Sequence, residues 1–255
     1  MDYLQAIALG IIQGITEWLP VSSSGHLALL QNFFGVSPPV IFDIMLHLGT
    51  LAAVTVYFRN DLLALIKGFF TFDRNNQDFR LALLIVLASL PTAIIGFGLK
   101  DFFASMFSNT LYVGIALLIT GAVLFSTRHA SGNRAPDARS ALIMGIVQGC
   151  AVAPGISRSG TTISAGMLLG LDKEKTARFS FLMFIPAIIG ATIFEAGEMD
   201  GLGEFLGPAI VGTVAAAITG YLAIGFLLRL ISANRFSIFA YYCFALGLLT
   251  IILSV

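Results

Sequence analysis

One thirty-residue pattern occurs twice in the chain, and this repeat restricts the folds that the sequence can adopt. Residues 6–35 and residues 141–170 align without a gap at an offset of 135, and nine of the thirty positions are identical. In each copy an apolar run ends at a proline, Pro20 or Pro154, a short polar segment follows, and a second apolar run begins. The repeat predicts two equivalent units, each an apolar helical hairpin with a polar tip.

The two polar segments stand out because the rest of the chain is strongly apolar. They read SSSGH at residues 22–26 and SRSGTT at residues 157–162. The 255 residues are 57% hydrophobic and 11% charged, whereas a soluble domain is about 25% charged, so we predict an all-α polytopic membrane protein. Irregular backbone at membrane depth is tolerated only where it is buried in protein or lines a wet cavity. Each hairpin is therefore predicted to be re-entrant, with its broken tip inside the bilayer.

Six further apolar segments are each long enough to cross about 30 Å of hydrocarbon, and three follow each hairpin. A polar stretch at residues 129–140 separates the halves. We therefore predict a single membrane domain, residues 1–255, with internal repeats at about residues 1–128 and 139–255. The predicted spans are Val40–Phe58, Leu81–Leu99, Leu111–Thr127, Ala177–Ala196, Phe205–Leu230 and Phe236–Val255.

An odd number of spans in each half inserts the second half upside down relative to the first, which is the inverted-topology repeat of many transporters. The charges agree with this topology, because the positive-inside rule makes the face that carries most Lys and Arg cytoplasmic. Both termini are then expected outside, with the chain in the inner (plasma) membrane. The net charge of zero predicts no nucleic-acid partner. Of the 14 Lys and Arg, twelve fall on one face: Arg59, Lys67, Arg74, Arg80, Arg128, Arg134, Arg139, Lys173, Lys175, Arg178, Arg229 and Arg235.

The two tips together carry the groups expected of a phosphate or pyrophosphate site. Each tip begins a short helix, whose unpaired N–H groups and positive dipole end attract anions. Arg158 is the most specific indication, because a charge at membrane depth costs at least about 2.5 kcal/mol and is usually functional. The alternative is a purely structural pair with Glu17. The other candidate binding residues are Ser22, Ser24, Gly25, Ser157, Ser159, Gly160 and Thr162.

His26 follows Ser23 by three residues, on the first turn of the predicted second helix of the hairpin. An imidazole at this place can exchange a proton with a hydroxyl or a water molecule. The alternative is a histidine that is merely hydrogen-bonded, and the presence of Ser23 and Arg158 favours proton transfer. A second histidine, His47, lies inside a predicted span and is expected to be structural.

Gln13 and Glu17 are spaced i, i+4, so both project from one face of the first helix toward the tip. A carboxylate there can hold a divalent cation, Mg²⁺ or Ca²⁺, that bridges phosphate oxygens. It can instead orient His26, or make only a polar contact between helices. The pattern leaves these three interpretations of Glu17 open.

Two pairs of glycines, Gly10 with Gly14 and Gly145 with Gly149, form GxxxG in the first arm of each copy. The spacing is a weak indication of function, because it is typical of membrane helices that pack closely. We therefore expect these glycines to lie where the first arms contact other helices.

Two longer motifs resemble those of a known family. GITEWLPVSSSGH, residues 14–26, and PGISRSGTT, residues 154–162, are similar to the two signature motifs of the undecaprenyl-pyrophosphate phosphatase family, also called the bacitracin-resistance protein family. The resemblance covers essentially the whole chain. It implies a re-entrant inverted-repeat fold and removal of one phosphate from undecaprenyl pyrophosphate, a polyprenyl lipid, which regenerates the lipid carrier of peptidoglycan synthesis. By motif position it implies that Glu17, Ser23 and His26 are catalytic and that Arg158, Thr162, Ser157 and Ser159 bind the phosphates.

The resemblance also implies a divalent cation and a site that opens to the periplasmic side. One position departs from the pattern, because members of the family often carry a glutamate where this chain has Gln13. Glu17 is then the only carboxylate on that helix face, which puts a two-carboxylate metal site in doubt but not the activity.

The rival class is a transporter of anions or a flippase of lipid carriers, since inverted repeats fit transport equally well. Ser23 and His26 favour chemistry, because anion binding alone needs neither a nucleophile nor a base. Whether Ser23 attacks the phosphate itself or orients a water molecule stays open, as do the prenyl chain length and the oligomeric state, a homo-oligomer included.

Overall fold

The computed structural model describes residues 1–107, 109–195 and 203–254, and it contains helices and no strand in those ranges. Twelve α-helices follow one another within them. They are α1 Tyr3–Trp18, α2 Ser23–Phe34, α3 Val40–Tyr57, α4 Arg59–Phe69, α5 Gln77–Gly98, α6 Lys100–Phe107, α7 Thr110–Ser126, α8 Ala138–Cys150, α9 Arg158–Leu168, α10 Lys173–Glu195, α11 Leu206–Ser232 and α12 Phe239–Ser254.

Six helices in the described part of the chain are long and apolar enough to cross a membrane, namely α3, α5, α7, α10, α11 and α12. Their number and order confirm the prediction of three spans in each half. The predicted span ends at Ala196 and Val255 lie outside the described residues.

Two of the spans begin four residues earlier than hydropathy predicts. The start of α5 is set by Asn76, whose side-chain oxygen accepts a hydrogen bond from the N–H of Asp78 at 2.8 Å. The start of α10 is set by Asp172, which accepts from the N–H of Lys175 at 2.9 Å. Polar residues cap a helix wherever its first N–H groups need partners, so these two helices extend beyond their apolar segments.

The remaining long elements include two hairpins, α1 with α2 and α8 with α9, whose members pack against each other. Each hairpin begins with the same capping box: the side chain of Asp2 accepts from the N–H of Gln5, and Asp137 accepts from that of Ser140. Asp2 and Asp137 are separated by 135 residues, the offset of the sequence repeat. The structural repeat therefore begins before the thirty-residue pattern itself.

The GxxxG glycines lie where the first arm of each hairpin meets a span of the other half, because α1 packs on α11 and α8 packs on α5. A Cβ atom at Gly10 would lie 2.1 Å from the carbonyl oxygen of Gly212, and one at Gly145 would lie 2.2 Å from that of Ala88. Both contacts bring backbone against backbone. The expectation of close helix packing is therefore confirmed. In both halves the first arm of the hairpin packs on a span of the other half.

Polar contacts bring helix ends from both halves together at one end of the molecule. Lys173, at the start of α10, donates to the side chain of Asn234 at 2.6 Å, in the connection between α11 and α12. Arg178 of α10 pairs with Asp61 of α4. At the other end, the Lys100 ammonium lies 4.7 Å from the ring centroid of Phe194.

Alanine at Gly10 or Gly145 should destabilise the fold, because its Cβ atom has no space against the neighbouring backbone. Overpacking of this kind costs about 1–3 kcal/mol, so each variant should show a lower thermal unfolding temperature in detergent. Gly190→Ala is the matched control, since Gly190 lies inside α10 with nothing within 4 Å of the added atom. Equal destabilisation by Gly190→Ala would show that the glycines do not act through close packing.

Candidate active site

The two hairpin tips share the same capping hydrogen bond. Ser22 accepts a hydrogen bond at its Oγ from the N–H of Gly25 at 3.4 Å, and Ser157 accepts one from the N–H of Gly160 at 3.1 Å. Both capping serines are buried, as are both glycines. Each tip therefore presents the start of a helix, α2 or α9, as the sequence predicted. Ser22 has a φ of 67°, a strained conformation for a residue with a side chain.

Glu17 is the residue that joins the two tips. Its Oε2 accepts from the hydroxyl of Ser23 at 2.6 Å and from Nε2 of Gln13 at 3.1 Å. Its Oε1 accepts from Nη2 of Arg158 at 2.6 Å, so a contact across 141 residues links the first hairpin to the second. The contact between Arg158 and Glu17 that the sequence allowed is therefore present.

Arg158 has a second set of contacts and one free group. Its guanidinium lies 4.0 Å from the ring centroid of Phe184 and 5.6 Å from that of Trp18, within the range of cation–π attraction. Nη1 is buried and has no hydrogen-bond partner among the described residues. A buried guanidinium nitrogen without a partner is costly, so an acceptor from outside the chain would satisfy it.

The imidazole of His26 is hydrogen-bonded to groups other than Ser23 and Glu17. Its Nδ1 lies 2.7 Å from the backbone carbonyl oxygen of Ser22, and its Nε2 lies 2.6 Å from the hydroxyl oxygen of Tyr242 on α12. Of the three interpretations of Glu17 that the sequence left open, an orienting contact with His26 is not present among the described residues. Nothing in the sequence marked Tyr242, because it is one tyrosine in an apolar span.

His47, in the span α3, also lies close to Glu17. Its Nε2 lies 3.6 Å from Oε2 of Glu17, and its Nδ1 lies 2.8 Å from the backbone carbonyl oxygen of Asp43. The Asp43 side chain accepts from Gln31 of α2 at 2.8 Å. Asp43 and His47 are spaced i, i+4 in an apolar span, the same indication that drew attention to Gln13 and Glu17.

The hydroxyls of the second tip mostly stabilise the tip itself. Thr162 hydrogen-bonds the carbonyl oxygen of Arg158 at 2.7 Å, and its hydroxyl lies 2.6 Å from that of Ser180 on α10. The Ser159 hydroxyl lies 3.4 Å from both the Leu19 carbonyl oxygen and the Ser157 hydroxyl. Both side chains are fully or almost fully buried. In the described structure these residues are therefore close to Arg158 but not aimed at its free nitrogen.

Thr120 of α7 is a further support that the sequence did not reveal. Its hydroxyl donates to the carbonyl oxygen of Gly155 at 3.0 Å and accepts from the N–H of Ser157 at 3.1 Å. Gly155 has a φ of 90°, and a Cβ atom there would lie 2.5 Å from the carbonyl oxygen of Val113. Only glycine fits this turn, which leads the chain into α9.

The site opens at a few partly exposed side chains. Ser23, Ser24, Arg158 and His47 are half-buried, whereas Glu17 and the rest of the tip residues are buried. A ligand that enters there would meet a hydroxyl, a guanidinium and an imidazole before it met the carboxylate.

The described residues include no group of three or more His, Cys, Asp and Glu side chains that could hold a metal ion. Glu17 and Gln13 remain the candidate ligands. Oε1 of Gln13 is buried and has no partner within the described chain, and the Gln13 amide faces Glu17 through Nε2, which donates to Oε2. A Mg²⁺ ion commonly takes one or two protein ligands and completes its shell with phosphate oxygens and water. An amide oxygen and a carboxylate are donor types that Mg²⁺ and Ca²⁺ accept, so these residues are compatible with such a cation.

The fold and the site define a class: polytopic helical membrane proteins with a polar site, rich in hydroxyls, between two helix breaks. The family model described as "Bacitracin resistance protein BacA" matches residues 6–249. An undecaprenyl-diphosphatase of Methanosphaera stadtmanae is 44% identical over 273 residues, which cover 100% of this chain and 99% of the relative. One of Desulfosudis oleivorans is 45% identical over 98% of both chains. The chain belongs to the bacitracin resistance protein BacA family, which confirms the resemblance found in its motifs.

Removal of Glu17 should destabilise the protein, because it leaves the Arg158 guanidinium buried without its counter-charge. Loss of one member of a buried pair costs about 3–5 kcal/mol, whereas replacement of both by apolar residues is often neutral. The melting temperature in detergent should therefore fall strongly in Glu17→Ala and recover in part in Glu17→Ala/Arg158→Met.

The control for this comparison is Arg134→Ala, which breaks an exposed pair with Asp137 and should shift stability by at most about 1 kcal/mol. A double variant less stable than Glu17→Ala alone would contradict the ion-pair explanation.

Proposed function

We propose that the polar site between the two hairpin tips is where this chain hydrolyses undecaprenyl pyrophosphate. The observation that carries the proposal is the contact of Glu17 with both the Ser23 hydroxyl and the Arg158 guanidinium, each at 2.6 Å. The hydroxyl of Ser23 as nucleophile, the carboxylate of Glu17 as acceptor for its proton, and the guanidinium of Arg158 as anion-binding group thus lie together in one site.

The activity itself follows from the family. Relatives that align with essentially the whole chain at 44% and 45% identity are undecaprenyl-diphosphatases. The chain is therefore a membrane-embedded hydrolase that converts undecaprenyl pyrophosphate to undecaprenyl phosphate and inorganic phosphate. This reaction recycles the lipid carrier of cell-wall synthesis, and the family is named for bacitracin resistance.

The pyrophosphate would bind where Arg158 still has capacity. Nη1 of Arg158 lacks a partner, and the first N–H groups of α2, those of Ser23 and Ser24, have no acceptor among the described residues. Together with the start of α9, they form the donor set that phosphate prefers. The prenyl chain would extend from the site along the apolar surfaces of the spans.

Ser23 attacks the terminal phosphorus in the first step. Its Oγ forms the new bond to phosphorus, its proton passes to Oε2 of Glu17, and the bond from phosphorus to the bridging oxygen breaks to release undecaprenyl phosphate. Water then attacks the phosphorus of the phosphoserine and gives its proton to His26, while the bond from phosphorus to Oγ of Ser23 breaks, Glu17 returns its proton to Oγ, and inorganic phosphate leaves. The alternative is direct attack by water, with Ser23 only orienting it.

Glu17 and Gln13 would hold the divalent cation, Mg²⁺ or Ca²⁺. A bound cation would neutralise charge on the transferred phosphoryl group. The protein residues would still orient Ser23 and hold the pyrophosphate through Arg158.

The hairpins are proposed to be re-entrant arms of an inverted repeat. Support comes from the capping box that both hairpins share and from the short arms of 16, 12, 13 and 11 residues. The first arm of each hairpin also packs on a span of the other half. The collection of cations from both halves at one end supports a cytoplasmic position for that end. Both termini, and the opening of the site, would then face outside the plasma membrane.

The attack by Ser23 is tested by phosphate release from undecaprenyl pyrophosphate in detergent, where transport cannot occur. Loss of one orienting hydrogen bond to a charged group costs about 1.5–3 kcal/mol, or roughly 10- to 150-fold in rate. Loss of the nucleophile should cost on the order of 10⁴-fold. We expect the larger loss in Ser23→Ala, a large loss in His26→Ala, and a double variant scarcely slower than either.

Ser126→Ala is the control, because Ser126 is exposed and hydrogen-bonds only within α7. A Ser23→Ala variant that is only tenfold slower, with an effect additive to that of His26→Ala, would exclude the covalent step. Absence of phosphate release by the wild-type protein would favour a transporter instead.

The topology is tested with single cysteines in a Cys150→Ser/Cys243→Ala background. A cysteine at Asn133, in the linker between the halves, should react with a membrane-impermeant thiol reagent only from the cytoplasm. A cysteine at Asp101, at the start of α6, should react only from outside. Labelling of both positions from the same face would contradict the inverted arrangement.

A further inference from the structure

Tyr242 contacts the titratable edge of His26 and has no part in the mechanism above. Its hydroxyl oxygen lies 2.6 Å from Nε2 of His26. The two rings are almost parallel, with an angle of 8° between their planes and 5.7 Å between their centroids. The phenol hydroxyl therefore lies against the edge of the imidazole that carries Nε2.

The other ring nitrogen fixes what Tyr242 must do. Nδ1 of His26 lies 2.7 Å from the carbonyl oxygen of Ser22, and a carbonyl oxygen can only accept. Nδ1 therefore carries a hydrogen in every protonation state of the ring. The proton that His26 gains or loses is the one on Nε2, and the Tyr242 hydroxyl, which lies against that nitrogen, can donate to neutral Nε2 or accept from protonated Nε2.

The surrounding structure holds Tyr242 in place. The adjacent Cys243 is buried, with its Sγ 3.5 Å from the carbonyl oxygen of Pro20 in the first tip. Ala240 packs against Gly121 of α7. Tyr242 is 47% exposed whereas His26 is 9% exposed, so the phenol lies between the imidazole and the outside of the molecule.

The other titratable groups near α2 are engaged elsewhere. Glu17 on α1 contacts Ser23 and Arg158, and Asp43 on α3 accepts from Gln31. His47 on α3 faces Glu17, and Cys243 on α12 faces Pro20. Tyr242 is thus the ionisable side chain that faces Nε2 of His26.

We infer that Tyr242 is a positioning residue of the proposed phosphatase, which fixes the imidazole of His26 and partners its titrating nitrogen. The inference rests on the proposed role of His26 in proton transfer. Without the hydroxyl, Nε2 loses its partner and the ring is held only through Nδ1. Proton transfer depends on a base held within hydrogen-bond reach of its target, so the loss should lower turnover more than substrate binding.

The test compares Tyr242→Phe with Tyr241→Phe. Phenylalanine keeps the ring and removes only the hydroxyl, and Tyr241 is an exposed neighbour that packs against Phe125. Phosphate release from undecaprenyl pyrophosphate in detergent should show kcat lowered about tenfold or more in Tyr242→Phe, with KM nearly unchanged and an inflection of the pH–rate profile displaced. Tyr241→Phe should match the wild type in all three. Tyr242→Met, which also lacks a hydroxyl, should behave like Tyr242→Phe.

A double-mutant cycle separates a role through His26 from a general structural role. If Tyr242 acts through His26, Tyr242→Phe should have no further effect in a His26→Ala background. Additive losses, or wild-type kcat and pH profile in Tyr242→Phe, would overturn the inference. These outcomes require an active wild-type enzyme, and its inactivity would count against the proposed function as well as the inference.

Discussion

The ion pair between Arg158 and Glu17 is the interaction on which the site depends. It joins residues 141 positions apart, one in each hairpin unit, at 2.6 Å. A buried pair adds little stability compared with apolar residues of the same volume, so stability alone does not explain its presence. A pair that keeps one guanidinium nitrogen without a partner is better suited to binding. In the proposed function the carboxylate balances the charge of the guanidinium, and a bound anion would complete the hydrogen bonding of Nη1.

The helices around the pair hold both tips at fixed positions. α7 supports the second tip through Thr120, and α12 contacts the first tip through Cys243. The first arms lie against spans from the opposite half, with glycine at the closest approaches. Because each half contributes an arm to the packing of the other, neither tip is positioned by its own half alone. A catalytic site made from both tips therefore requires the complete chain.

Much of this arrangement is predictable from the sequence because it repeats or carries charge in an apolar setting. The hairpins, the six spans and the proximity of Glu17 to Arg158 follow from the offset of 135, from hydropathy and from the cost of an isolated buried charge. The groups that the Glu17 side chain contacts cannot be predicted in the same way, because its spacing was compatible with three interpretations. Tyr242 and Thr120 carry no sequence signal, because contacts between distant helices depend on tertiary packing and have no local periodicity. His47 did carry a sequence signal, because it lies four residues after Asp43 in an apolar span.

The geometry also separates the two proton-handling groups. The Ser23 hydroxyl donates to Glu17, which directs its proton inward and leaves its lone pairs free for an electrophile at the opening of the site. In the described structure the His26 ring is hydrogen-bonded to Ser22 and Tyr242 rather than to Ser23 or Glu17. A covalent route needs a proton acceptor twice, once for the serine and once for the water, and the first acceptor still carries a proton when the second step begins. Two separately held groups meet this requirement. An anion carrier would need neither of them, so the arrangement favours hydrolysis over transport.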